Sequence, residues 1–193
     1  TNRAIQSLMP LLEADFADVK PILVHVHAGN ALMLRERKVD AMEDVAGLRV
    51  RTPSRTGAWV LESWGAEPVG MPIPELPQAL ARGALDAALA PFEVAPSLKL
   101  QDVTSHAVEG PEGRRFGTSV FLFAMNRARY DALPDDLRTI IDANSGAALA
   151  AEIGSAWDAV ERDGERIFRE AGGVLERLTA DAMSDFDAAA EAV

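Results

Sequence analysis

The chain has 193 residues, and 19 basic against 30 acidic side chains leave a net charge of −11 with histidine neutral. With 48% apolar and 25% charged residues it has the proportions of a folded protein, which excludes wholesale disorder. The negative charge disfavours nucleic acid as a partner. No apolar run reaches the ~18 residues of a membrane helix. The absence of cysteine removes disulfides, zinc-thiolate sites and thiol nucleophiles.

Thr1-Asn2-Arg3-Ala4-Ile5 opens an amphipathic segment rather than an apolar leader. Ile5, Leu8, Met9, Leu12 and Phe16 follow helical spacing, interrupted by Pro10. Pro21–His27 is a short apolar run with β-branched residues, predicted as a buried strand. Residues 31–46 show no clean period. Leu48–Arg51 is predicted as a strand, stopped at Thr52 by Pro53. Ser54 is a candidate N-cap for a helix over 56–64, and Gly65 is placed to end it. Glu67–Met71 is a second strand. Pro74 and Glu75 open a second helix with Leu76, Ala79 and Leu80 on its apolar side, closed by Gly83. Leu85–Leu89 is a third strand, broken by Pro91.

Strand–helix–strand–helix–strand over 48–89 implies parallel strands with short helical crossovers. Ligands of such sheets bind beyond the carboxyl ends of the strands. That places a site among Arg51-Thr-Pro, Met71-Pro-Ile73 and Ala90-Pro91-Phe92. Further on, 117–125 is a strand candidate, and Pro134, Asp135 and Asp136 suit a helix start. Leu137 through Phe168 keep a helical period, with Gly146, Gly154 and Gly164 as points where it can bend. Gly172-Gly173 ends that helix, 174–178 is a brief strand or turn, and an acidic, Ala-rich helix closes the chain.

A guanidinium at a strand's carboxyl end matches a carboxylate with its planar fork. Arg51 holds that position, but Arg49 and Arg55 lie close by and serve the argument equally. His25 and His27 face one side of a strand, and with only distant His106 to join them they read as structural rather than metal ligands. Ser54, His106 and Asp102 have no nucleophile elbow to assemble them. Asp135-Asp136 and Glu43-Asp44 read as helix starts. No glycine-rich phosphate loop is present. Trp59 and Trp64 belong to a core by default, whereas Phe92 and Phe116 flank loop ends and are pocket candidates.

Glu43–Ser54 (EDVAGLRVRTPS), Gly65–Pro72, Glu75–Leu80, Gly83–Ala87, Ala124-Met-Asn126 and Tyr130–Leu137 resemble, in order and spacing, the signature of the TRAP transporter solute receptors, the DctP family. The motifs cover most of residues 20–142. The resemblance implies a periplasmic receptor that performs no chemistry and needs no cofactor or metal. It would catch an organic acid in a cleft between two α/β lobes and deliver it to membrane permease subunits. It also implies that the arginine of Leu-Arg-Val-Arg-Thr-Pro, Arg51, holds the substrate carboxylate.

Three departures bear on the ligand. Ala31 stands where sialate-binding members carry a second arginine, Ala90 where they carry asparagine, and Ile73 where they carry an aromatic residue. The expected ligand is a monocarboxylate with an apolar or aromatic body rather than a sugar acid, with a dicarboxylate left open, bound by Arg51, Met71, Ile73, Ala90, Pro91, Phe92 and Phe116. The expected fold is α/β, two-lobed and periplasmic-binding-protein-like, with parallel-rich sheets and a long C-terminal helix. Residues 29–116 with 157–193 form the C-terminal lobe. Residues 1–28 with 117–156 form the remaining, incomplete part of the N-terminal lobe, whose first elements and leader this chain is expected to lack. The rival reading is a cytoplasmic small-molecule-sensing module of a regulator.

Overall fold

The computed structural model describes residues 2–193. In chain order it comprises α1 (Asn2–Leu8), β1 (Val19–Val26), β2 (Ala31–Leu34), β3 (Arg49–Thr52), α2 (Arg55–Ser63), β4 (Glu67–Gly70), α3 (Leu76–Ala81), β5 (Ala87–Ala90) and α4 (Ala95–Leu98). There follow β6 (His106–Glu109), β7 (Val120–Asn126), α5 (Arg127–Asp131), α6 (Asp135–Ala143), α7 (Ala147–Glu170), β8 (Val174–Arg177) and α8 (Ala180–Ala190). The chain divides into two compact units, passing between them after His27, Thr118 and Ala159. The sequence places these passages after 28, 116 and 156.

The second unit, Ala28–Thr118 with Val160–Val193, is built on a six-stranded sheet of order β4-β3-β5-β2-β6-β8. Strands β4, β3 and β5 are parallel, as the 48–89 spacing predicts. Central β2 runs antiparallel to both β5 and β6, and β8 runs parallel to β6. The sequence pattern assigns no element to β2. Its four residues Ala-Leu-Met-Leu are all buried, so no polar alternation marks them. Leu32 and Leu34 enter one core with Val50, Leu61, Trp64, Met183 and Phe186, under α2 and α8. Ala31 and Met33 enter the other with Leu76, Leu80, Ala95 and Phe168, under α3, α4 and α7. Helices therefore cover both faces of the sheet.

Ser54 caps α2, its Oγ accepting the Gly57 N–H at 3.0 Å. Gly65 past the helix end is left-handed, with φ +77°. Ser54→Ala is expected to cost about 1 kcal/mol, read as a lower urea midpoint at unchanged slope.

The first unit, residues up to His27 with Ser119–Ala159, pairs β1 and β7 antiparallel. The Asn2 carboxamide accepts the Val26 N–H (2.7 Å), Lys20 pairs with Asp142 (2.7 Å), and the Tyr130 hydroxyl donates to the same carboxylate. Val120, Leu122 and Phe123 of β7 stay exposed. The helical period that runs from Leu137 to Phe168 is interrupted at 144–146. Gly146 is left-handed (φ +75°) and gives its N–H to the Ile22 carbonyl of β1 instead of to a helix. Helix α7 then continues unbroken through Gly154 and Gly164.

Candidate functional site

Parallel β4, β3 and β5 bring Gly70-Met71, Arg51-Thr52 and Leu89-Ala90 to one end of the sheet. Arg51 is the last but one residue of β3, and its side chain turns across that end. Nε donates to the Met71 carbonyl and Nη1 to the Leu89 carbonyl, each at 3.3 Å. Both bonds are long, and they use two of the five N–H donors of a guanidinium. Arg51 is only 6% exposed, and among the described residues it has no carboxylate partner. Burial alone lowers its pKa from the ordinary arginine value. A buried cation held by two neutral carbonyls lacks the counter-charge that buried ions normally have.

The three arginines that the sequence leaves equivalent are separated by their surroundings. Arg49 is at the opposite end of β3, clamped by Asp86 at 2.9–3.0 Å and bonded to the Gly83 carbonyl. Arg55 is exposed. Arg51 alone of the three is buried without an anion.

A cleft of about 540 Å³ opens over Arg51, lined also by Thr52, Ser54, Ala58, Gly70 and Met71. That volume suits a small organic ligand. The N-terminus of α2, capped by Ser54, borders it and adds the positive end of a helix dipole. The exposed Arg55 also lines the cleft and places a second guanidinium on its wall. Ala31 and Ala90 face each other across the β2–β5 pair, both fully buried. Met71 and Ile73 are partly buried against the same core cluster as Ala90.

The structure thus brings Arg51, Met71, Ile73 and Ala90 to one sheet end but places the aromatic candidates elsewhere. Phe92 is 0% exposed and its ring sits 5.5 Å from that of Phe168 in the core. Pro91 beside it is buried as well. Phe116 is 7% exposed and packs between Trp64 and Phe186 on the other face of the sheet. As they stand, neither ring offers a ligand surface. Phe92 is covered by α7 through Phe168, and Phe116 by α8 through Phe186.

The other sequence constellations dissolve. Ser54 follows β3, whereas His106 begins the like-directed β6 at the opposite sheet end, beside Glu176. His25 Nδ1 accepts the Trp157 indole N–H at 2.9 Å, and His27 Nε2 accepts the Ser119 N–H at 3.2 Å. Both imidazoles thereby serve packing. Among the described residues no group of three His, Cys, Asp or Glu side chains is placed to hold a metal ion.

Sequence reasoning missed a buried charge network next to the site. Glu109 (1% exposed) binds Arg177 at 2.7 Å and Arg115 at 3.3 Å, and Arg115 reaches Glu161 at 3.0 Å. Glu93, two residues beyond Pro91, is pushed up to about 7 by burial and by the nearby Glu161 charge. The folded state therefore holds the Glu93 proton more tightly than the unfolded chain. Its contribution to stability is full below about pH 4.5 and is lost as pH rises through about 7. Glu93→Gln is expected to stabilise the protein by about 1–2 kcal/mol at pH 8 and by almost nothing at pH 4.5. Melting temperatures of the two proteins at both pH values check this.

Comparison with known proteins decides the family. Residues 12–193 match the family described as DctP, bacterial extracellular solute-binding protein, family 7. The chain belongs to this family. A marine metagenome TRAP solute binding protein specific for aromatic acid ligands, solved with metahydroxyphenylacetate, superposes with a TM-score of 0.94 at 33% identity. That match covers 99% of this chain and 60% of the other. A TRAP solute binding protein from Rhodoferax ferrireducens T118, solved with copurified benzoate, gives 0.91 at 33% identity, covering 98% and 60%. A curated solute-binding protein of Albidiferax ferrireducens is 32% identical over 110 residues, 55% of this chain and 31% of that protein. This DctP chain thus spans about 60% of the length of the two solved relatives.

Proposed function

We propose that this DctP-family protein is the extracytoplasmic receptor of a TRAP transporter, that it binds an aromatic monocarboxylate through Arg51, and that it passes the acid unchanged to membrane permease subunits in the periplasm. The observation that carries the reading is Arg51, a buried guanidinium with no carboxylate partner among the described residues, at the edge of a cleft. A ligand carboxylate supplies the missing charge and accepts the N–H donors that the two carbonyls leave free.

The walls favour an apolar body. Ala58, Met71 and Pro72 line the cleft beside Arg51 and give that body apolar surface, and Ala31 and Ala90 put no polar group at the neighbouring sheet end. The two relatives at 33% identity, solved with a hydroxyphenylacetate and with benzoate, support the same class. The role asks for capture and release, with no bond made or broken, and the two compact units are read as the lobes of such a receptor.

The test is a thermal-shift panel of benzoate, 3-hydroxybenzoate, mandelate, malonate, succinate and sialate, since a ligand of the native state raises the melting temperature. Shifts confined to the aromatic acids support the proposal. A shift with malonate or sialate alone overturns the ligand class.

A further inference from the structure

The chain crosses between the units at three places, 27–28, 118–119 and 159–160. Within the second unit the segments are tied together close to these points. The Phe116 N–H donates to the Asn30 carbonyl and the Asn30 N–H to the Gly117 carbonyl, each at 2.9 Å. The Arg115 stem lies on the Gly29 backbone so closely that a Cβ on Gly29 would meet Arg115 Cβ at 2.7 Å. The Arg115 guanidinium then reaches Glu161, at the start of the third segment, at 3.0 Å.

Glu161 turns this tie toward the anion site. Its Oε2 accepts the Glu93 N–H at 2.9 Å. One turn on, α7 meets the same loop again. A Cβ on Gly164 would fall 2.0 Å from the Phe92 carbonyl oxygen, so only glycine permits that approach. Phe168, a further turn along, packs on Phe92, and the Arg115 guanidinium lies 5.0 Å above the same ring. The loop so held, 91–93, directly follows Leu89 and Ala90, and the Leu89 carbonyl is one of the two groups that hold Arg51.

We propose that Arg115 and Glu161 are positioning residues for the anion site, an anchor that fastens the loop 91–93, and through Leu89 the Arg51 guanidinium, to all three segments crossing between the units. The anchor couples the geometry of the ligand clamp to the places where the chain changes units. Its ligand readout rests on the function proposed above, whereas its structural readout does not.

The test is hydrogen exchange on the unliganded protein, with benzoate titration beside it, for wild type, Arg115→Met and Gly164→Ala. The second variant leaves every charge in place and forces a methyl into the Phe92 carbonyl. In Arg115→Met, amides at 27–31, 89–95, 115–119 and 158–164 are expected to exchange at least ~10-fold faster together, while those of α2 and α3 keep their rates. In Gly164→Ala the acceleration is expected at 89–95 without 27–31. Both variants are expected to bind benzoate about 10-fold more weakly with Arg51 intact. Uniform acceleration through the second unit, acceleration confined to 115–119, or wild-type affinity in both variants overturns the anchor. If Arg115→Met does not fold, Gly164→Ala decides on the 89–95 amides. If wild type does not bind benzoate, the ligand proposal fails and the exchange pattern alone decides the anchor.

Discussion

Arg51→Met is expected to abolish measurable binding of an aromatic acid while leaving the unliganded protein slightly more stable. Loss of one partner of a buried charge pair costs a few kcal/mol, which is at least about 100-fold in affinity. The stability change has the opposite sign because the unliganded site holds a cation away from water with no anion to offset it. Replacing it with an apolar side chain of similar length removes that penalty. The two hydrogen bonds lost with it, at 3.3 Å each, are weak. A net gain of order 1 kcal/mol is expected, or about 1 kcal/mol in the urea-derived stability. Calorimetric titration gives the affinity and urea denaturation the stability. A variant less stable than wild type with unchanged affinity would mean that Arg51 is a structural residue.

Phe92→Ala is expected to destabilise the protein by about 3–5 kcal/mol, the range for emptying a buried aromatic site. Phe92 is fully buried between Phe168 of α7 and the Arg115 guanidinium. Its removal takes away the ring contact between the loop beyond β5 and Phe168 of α7 and leaves a cavity under Arg115. Urea denaturation followed by far-ultraviolet circular dichroism reads the cost. A loss under about 1 kcal/mol, with binding reduced, would return Phe92 to the role of ligand-facing residue that its position in sequence suggests.

Much of the second unit is legible from local chemistry. The alternating strands and helices of 48–89, the Ser54 cap and the left-handed Gly65 follow from propensity, capping and spacing, and those rules by themselves bring Arg51, Met71 and Ala90 to one sheet end. Arg51 is legible as one of three arginines. Separating it from Arg49 requires knowing that Asp86, near another strand, satisfies Arg49. Strand β2 is hidden because full burial on both faces erases the period by which a strand is read. The charge network is hidden for another reason. Glu109, Arg115 and Glu161 look like solvated surface charges until α7 folds across the sheet end and removes them from water. Phe92 and Phe116 show the same dependence. Each flanks a loop in sequence, and each is covered by a helix that arrives much later in the chain.

The central claim is that the buried Arg51 guanidinium is completed by the carboxylate of a bound acid. Parallel calorimetric titrations with benzoate and with benzamide, which has the same ring and nearly the same shape without the charge, test it most directly. Saturable benzoate binding with benzamide at least about 100-fold weaker, as expected for leaving the buried charge unpaired, is the predicted result. Equal affinity for the two, or binding of benzamide alone, would contradict the claim.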